Sequence, residues 1–406
     1  MAAEKKRLVP ISIREEEIRC DRTHEDYDTC LIKGPTVLDA IQCTFFLMDP
    51  TISTPQNPVV EKIRSYPRKA EDRTMSKITE VTIVAGPPSP KCQIQHDAPA
   101  VVFSVGGYSS YAGNFFHDFN DGFIPMYVTV NSFFPDQDVV LVLTDVNDWW
   151  SSKFTELLRT FSKHPIINLD NESATHCFPS ASLGIITHGP MTVNPALLPN
   201  SKDMTDFRAF LGKAYGQTQT QNPPKSRPRL VITSRRGTVG RQLLNQDEVK
   251  IEAEKIGFDV SILEPKRGTP LNESYALINS SHAMVGIHGA ALTHSLFLRP
   301  GAVFVQVVPL GAEWVSEVCF EMSAKAMGLE YMEYKIMAEE SSLIETYSKD
   351  EMIIKDPVAY RGEKFSNHPA MRIYLRKQNV KLDIVRFRDY LKLVYVKAKK
   401  FMDKEG

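Results

Sequence analysis

Asn279-Ser-Ser-His-Ala-Met-Val-Gly-Ile-His-Gly-Ala-Ala-Leu-Thr-His294 is the stretch on which the reading of the fold turns. Residues 283–287 are a short apolar run of the kind that forms a buried parallel strand. His288-Gly289 supplies a turn, and residues 290–298 resume helical spacing until Pro300-Gly301 stops it. A small-residue turn at a helix N-terminus presents free backbone N–H groups and the positive end of the helix dipole, which suits phosphate. An ordinary strand–turn–helix whose glycine only packs closely has the same local pattern.

On both sides of this stretch strands alternate with helices, the signature of a parallel α/β sheet. Downstream of residue 229 the pattern reads strand 230–234, helix 246–256, strand 259–263, helix 272–279, strand 302–308, helix 314–327 and strand 331–336. Upstream it reads strands 81–85, 100–105, 139–145 and 183–187, with helices over 114–130 and 151–162. Residues 1–75 are polar, punctuated by Pro50, Pro55, Pro58 and Pro67, and read as an irregular wrap. The expected division is therefore a wrap at 1–75, a first α/β domain at 76–215, a polar, proline-bearing linker at 216–229 and a second α/β domain at 230–375. Residues 376–406 close the chain with a helix in which Leu382, Val385, Tyr390, Leu393 and Val396 recur at helical spacing. Two such domains on one linker predict a cleft enzyme with its ligand between the halves.

Composition narrows the class. With 42% hydrophobic and 24% charged residues over 406 positions the chain has ample core. A formal net charge of −1 excludes a general nucleic-acid or acidic-membrane binder. No apolar run reaches 18 residues, and the basic start Met-Ala-Ala-Glu-Lys-Lys-Arg7 lacks the apolar core of a signal peptide. None of the six cysteines has zinc-ligand spacing. Four fall in the first hundred residues, and Cys20 and Cys30 enclose a short polar loop; this suits disulfides, although scattered thiols of a cytosolic enzyme look much the same. Acceptor sequons begin at Asn171, Asn272 and Asn279, which favours a secretory compartment.

Two groups of residues carry chemistry. Strand 230–234 delivers Arg235 and Arg236 at its C-terminal end, the edge at which open α/β sheets bind ligands. The turn at His288-Gly289 leaves its strand at the same edge, so two arginines facing a helix N-terminus can clamp a diphosphate; solvated loop charges are the alternative. In the first half, Gly106-Gly107-Tyr108 opens a loop into the helix that carries Asn114, His117 and Asp121. His117 and Asp121 are i and i+4 and share a face, so the carboxylate can orient the imidazole as a general base; a salt-bridged surface histidine has the same spacing. A serine hydrolase is excluded for want of GxSxG, and a dinucleotide binder for want of GxGxxG. The DxD triplets Asp26-Tyr-Asp28 and Asp136-Gln-Asp138 do not close a strand and are taken as chance.

Asn114-x-x-His117-x-Phe-x-Asp121, Ser234-Arg235-Arg236, Gly286-Ile-His-Gly-Ala-Ala-Leu-Thr-His294 and Pro300-Gly301-Ala-Val-Phe-Val-Gln-Val-Val-Pro309 together resemble family 61 of the glycosyltransferases. The likeness runs in order from about Cys20 to the C-terminus. Cys20-Asp-Arg-x-His, Trp149-Trp150 and Glu333-Tyr-Lys-Ile-Met-Ala-Glu-Glu-Ser-Ser342 look like the plant branch, whose members decorate xylan in the Golgi; similar animal members transfer N-acetylglucosamine to glycoproteins. The resemblance implies a GT-B fold, two Rossmann-like domains facing a cleft, with a C-terminal helix crossing back. It implies inversion without an essential metal or other cofactor, a UDP-pentose as donor and xylan or a xylo-oligosaccharide as acceptor. It implies a Golgi-lumenal enzyme held by a type II anchor that is not among these residues. His117 and Asp121 would do the acid–base work. Arg235, Arg236, His288, Gly289, Ala290, Ala291 and Thr293 would hold the donor. Gly107, Tyr108, Asn114, Trp149 and Trp150 would hold the acceptor. A glycan-binding protein that has lost turnover is the competing class, and a metal-dependent transferase of another architecture a second.

Overall fold

The computed structural model describes residues 17–47, 59–85, 90–109, 113–216, 226–235, 240–365 and 367–404. Its strands form two sheets. The first contains β1 (Glu17–Asp21), β2 (Thr29–Asp39), β3 (Thr44–Leu47), β4 (Val59–Arg64), β5 (Glu80–Ala85), β6 (Ile94–Gln95), β7 (Ala100–Ser104), β8 (Val140–Thr144), β9 (Ile167–Asn168) and β10 (Thr175–Leu183). The main path is β4-β5-β3-β2-β10-β7-β8-β9, with β1 on β2 and β6 on β10. The second contains β11 (Arg229–Thr233), β12 (Asp259–Leu263), β13 (Ala283–Ile287), β14 (Val303–Val308) and β15 (Glu330–Lys335), all parallel, in the order β12-β11-β13-β14-β15.

The first sheet corrects the irregular wrap expected over residues 1–75. Four strands from residues 17–64 join it, and β2 pairs antiparallel with β10 along most of its length. Strands solvated on one face carry Lys, Thr and Glu between their apolar positions, so their composition reads as loop. Cys20 lies opposite Cys30 in the β1–β2 ladder and is bonded to it; Cys92 and Cys177 form a second disulfide. The strand expected at 183–187 lies at β10 instead, where His176, Pro179 and Ser180 disguise it.

In the second sheet every side chain of β13 and β14 is buried, as a sheet covered on both faces requires. Gln306 is the one polar side chain of β14, and its amide is satisfied by His288 and by the Tyr331 hydroxyl. Gly286 is fixed sterically, since a Cβ there would lie 1.8 Å from Thr233 Oγ1.

Five helices matter for the site. Helix α1 comprises Phe115–His117, a π-helical turn at Asp118–Phe123 and Ile124–Phe133; α2 is Asp148–Lys153, α3 Leu271–Asn279, α4 the 3-10 helix Ala290–Phe297 and α5 Ile384–Lys404. One apolar core includes Phe103 and Leu143 of the first sheet, Phe119 and Phe123 of α1, and Met284 and Phe304 of the second sheet. The two sheets therefore share packing across the linker region, most of which (217–225) lies outside the described residues.

Helix α5 buries Phe387, Leu391, Val394, Ala398 and Met402. The stripe read from the sequence is out of phase, because Val385, Leu393 and Val396 are among the most exposed apolar residues. The buried stripe packs on β11, β13 and β14 and on helix Gln246–Ile256, so α5 covers the second sheet rather than crossing back. No helix among the described residues is long and apolar enough to cross a membrane.

Candidate active site

The order β12-β11-β13 places a topological switch point between β11 and β13, where crossovers leave in opposite directions and open a crevice at the strands' C-terminal ends. Arg235 follows β11 and Gly289 follows β13, so the two expected phosphate elements flank that crevice. The cleft there holds about 430 Å³. Gly113, Asn114, Phe115, Trp149 and Lys153 line it from the first half, and Ser234, Arg235, residues 264–267, Ala290, Ala291 and His294 from the second.

Gly289 has φ +152°, a conformation that glycine supplies, and a Cβ there would lie 2.5 Å from Arg235 Nη1. That Nη1 is buried without a hydrogen-bond acceptor. Arg241, absent from the sequence reading, stands beside it, donating from Nη1 to the His288 carbonyl at 3.2 Å while its buried Nε has no acceptor. Burial, with the charges of Arg235 and Arg376, pulls the Arg241 guanidinium down from its usual range. Burial alone does the same to Arg235. Two half-buried cations that among the described residues have no carboxylate paired with them stand at a helix N-terminus, an arrangement that can take an anion. Arg236 lies outside the described residues.

Arg241 is held from a distance. Gln242 donates its N–H to Asn379 Oδ1 and accepts at its carbonyl from Val380 N–H, while Leu244 N–H reaches the Val380 carbonyl. A strap just before α5 thus fixes the loop that carries the arginine.

Helix α1, whose Phe115 lines the cleft, carries the dyad just beyond it, and neither His117 nor Asp121 lines the cleft itself. His117 Nδ1 lies 2.7 Å from Asp121 Oδ2, and Asp121 also accepts from Arg68 Nη2 at 2.8 Å, Tyr66 Oη at 3.0 Å and Asn120 Nδ2 at 2.6 Å. A carboxylate so close requires the proton on Nδ1, so Arg68, 3.2 Å from that nitrogen, is a neighbour rather than a donor to it. Nε2 is left as the basic atom. Burial raises the Asp121 carboxyl, but the Arg68 charge and the His117 hydrogen bond outweigh it and hold the group well below the usual carboxylate range. Tyr108 stacks on His117 with centroids 4.5 Å apart, and its hydroxyl donates to Glu71. The Phe320 ring packs on Phe116 of α1 at 5.5 Å and on His288 at 5.5 Å, so one aromatic ring links the neighbour of His117 to the turn whose carbonyl receives Arg241.

Residues 113–305 match the model of the family described as Glycosyltransferase 61. A xylan glycosyltransferase of Arabidopsis thaliana is 37% identical over 95% of this chain and 81% of its own length. A beta-1,2-xylosyltransferase of Oryza sativa subsp. japonica is 33% identical over 93% and 84% of the two chains. An alpha-1,3-arabinosyltransferase of the same plant is 36% identical over 92% and 64%. The chain belongs to glycosyltransferase family 61, and it is a glycosyltransferase.

Several residues expected in the site of this glycosyltransferase are placed elsewhere. Trp150 is 1% exposed, stacks on Phe123 and donates Nε1–H to Asp118 at 2.9 Å, so it is core and cannot meet a sugar. Trp149 does line the cleft, its ring covered by Arg267 at 4.3 Å. The His288 side chain is buried against Gln306, and only its carbonyl faces the arginines. Thr293 is buried in α4 and lines no part of the cleft, whereas Ala290 and Ala291 line it. Gly107, with φ +63°, packs under the Tyr66 ring and positions Tyr108 without reaching the cleft. Asn114 caps α1, accepting from Phe116 N–H, and also lines the cleft. Asn171 and Asn272 are exposed, but the Asn279 side chain accepts from Arg208, which removes it as a free glycan acceptor in the folded chain.

Tyr66 and Arg68 were invisible as site residues because they follow β4 in a stretch read as loop; no local motif marks them. Among the described residues no group of three or more His, Cys, Asp or Glu is placed to hold a metal ion.

Proposed function

We propose that the protein transfers a pentose from a UDP-sugar onto the xylan backbone with inversion and without a metal, either xylose in β-1,2 linkage or arabinofuranose in α-1,3 linkage, in the Golgi lumen during plant cell-wall synthesis. The observation that carries this reading is the presence of two groups on the two halves: a histidine oriented by a buried carboxylate, just past the Asn114 and Phe115 that line the cleft from the first half, and Arg235 and Arg241, each with a buried nitrogen that has no acceptor, at a helix N-terminus of the second. The arrangement supports a GT-B architecture with donor on the second half and acceptor on the first. His117 Nε2 takes the proton from the attacking acceptor hydroxyl, and Asp121 stabilises the imidazolium that forms. The leaving nucleoside diphosphate gains negative charge, and Arg235, Arg241 and the N–H groups after Gly289 stabilise it. Trp149 offers part of its aromatic surface to the acceptor wall. The choice of xylan follows from the two plant relatives covered over most of their length, whose names give xylan and xylosyl transfer.

The test is a screen of UDP-sugars with xylo-oligosaccharides in EDTA, read by mass spectrometry. Addition of one anhydropentose to the acceptor is the expected result. Transfer that appears only when manganese is restored would overturn metal independence. Absence of transfer in both conditions from folded protein would overturn the pentosyl reading.

A further inference from the structure

Lys153 ends α2, one turn beyond Trp149, and belongs to the first half of the molecule. It nevertheless lines the same cleft as Arg235, Ala290 and Ala291. Its ammonium lies 5.0 Å from the centre of the Phe115 ring and 5.7 Å from that of Phe154. Among the described residues no carboxylate comes within salt-bridge distance of it. The nearest acid acting on it is Asp118, whose own side chain is turned to Trp150 and Ser109. A half-buried cation against aromatic rings with no counter-ion is poorly solvated, and burial, together with Arg267, lowers its pKa accordingly. The opposite wall holds Arg235, whose Nη1 has no acceptor, and Arg267, which lies over the Trp149 ring. The positive charges come from both walls, and they converge on a space large enough for a diphosphate.

We propose that Lys153 binds the diphosphate of the nucleotide donor from the acceptor wall, opposite Arg235, so that bound donor is gripped by both halves of the protein. This rests on the UDP-sugar reading above. Lys153 and Trp149 are i and i+4 on one helix, so their side chains share a face. The proposed donor contact and Trp149, which lines the same cleft, are thus carried by one helix.

The experiment is calorimetric titration of uridine, UMP and UDP into wild type, Lys153→Met and Lys153→Arg. In wild type UDP binds at least tenfold more tightly than UMP. Lys153→Met, close in volume, loses tenfold or more of that UDP-over-UMP preference and keeps its uridine affinity, while Lys153→Arg retains most of the preference. Failure of wild type to bind UDP would sink the donor reading itself. UDP binding by wild type with the preference unchanged in Lys153→Met would sink the role of Lys153 and leave the donor reading standing. Should Lys153→Met lose uridine as well, Lys153→Gln decides by the same ratio.

Discussion

Arg68 reaches across 53 residues of sequence to hold Asp121 Oδ1 at 2.8 Å, and Asp121 holds His117. Arg68 thereby belongs to the buried hydrogen-bonded group around His117 and Asp121 although nothing near it in the chain suggests as much. A carboxylate with 1% side-chain exposure and an arginine at this distance make a pair whose separation leaves a buried charge.

Arg68→Met should therefore cost stability, about 3–5 kcal/mol, and should lower kcat by changing the charge beside the imidazole. Asp121→Asn should lower kcat by roughly 10²–10⁴-fold, as loss of an oriented base does, with KM for the donor little changed. Steady-state kinetics and denaturant titration of both variants check this, and an Asp121→Asn enzyme with kcat within threefold of wild type refutes the dyad. Because the Asp121 carboxyl is depressed, its contribution to stability is complete above the unfolded carboxylate range near pH 4 and is lost as pH falls below that.

Asp118, next along α1, behaves oppositely. Burial pushes its carboxyl up to about 7, against the opposing hydrogen bond from Trp150. The folded state holds that proton while the unfolded state releases it near pH 4, so stability falls as pH rises from about 4 to about 7. At about 1.4 kcal/mol per pH unit, three units set an upper bound of about 4 kcal/mol. Asp118→Asn keeps the acceptor for Trp150 and removes the charge. Thermal melts should show the variant several degrees more stable than wild type at pH 8 and equal to it at pH 4.

Replacing Arg235 or Arg241 by Met should weaken UDP by about 10–100-fold, the 1.5–3 kcal/mol of one charge-assisted hydrogen bond, without lowering the melting temperature. A cation lacking a counter-ion costs the apo fold, so removal is neutral or stabilising. Turnover within twofold of wild type for Arg235→Met would remove it from the site.

Gly286→Ala puts a methyl group 1.8 Å from Thr233 Oγ1 and 2.7 Å from Leu292 Cδ2. The expected loss is about 3 kcal/mol or more, above the usual range for overpacking because the site sits between buried strands. The double variant with Thr233→Ala should recover part of it in a denaturant midpoint, which would show that the clash rather than a backbone change is at fault.

Expressed in a secretory host, the chain should carry glycans on Asn171 and Asn272, with Asn279 free on most molecules, as peptide mapping by mass spectrometry will show. Full occupancy of Asn279 would mean that the Arg208 contact forms only after modification or not at all.

The second sheet was legible in the sequence because its strands are buried on both faces and its helices lie between them in simple alternation; β12 and helix Gln246–Ile256 fall where the pattern puts them. The places in the fold of Arg235, Gly289, His117 and Asp121 were legible for the same reason, each standing at the end or on the face of a well-patterned element. The first sheet's outer strands were hidden by their half-solvated composition. The core role of Trp150 was hidden because an aromatic pair does not say which ring points inward. The phase of α5 was misread since Val385, Leu393 and Val396 alternate with the apolar residues that do face the sheet. Arg241 and Arg68 have no signal in the line of residues, because each is positioned by a partner far away in the chain.

The strap of Gln242 and Leu244 onto Asn379 and Val380 has a bearing on synthesis. The loop bearing Arg241 is completed by a residue 137 positions further along the chain. A nascent chain can extend through β11 to β15 before the residues that fix this loop exist. Setting of the loop is thus deferred until Asn379 and Val380 have been made, and a chain stopped before them would lack both the strap and the helix that covers the second sheet.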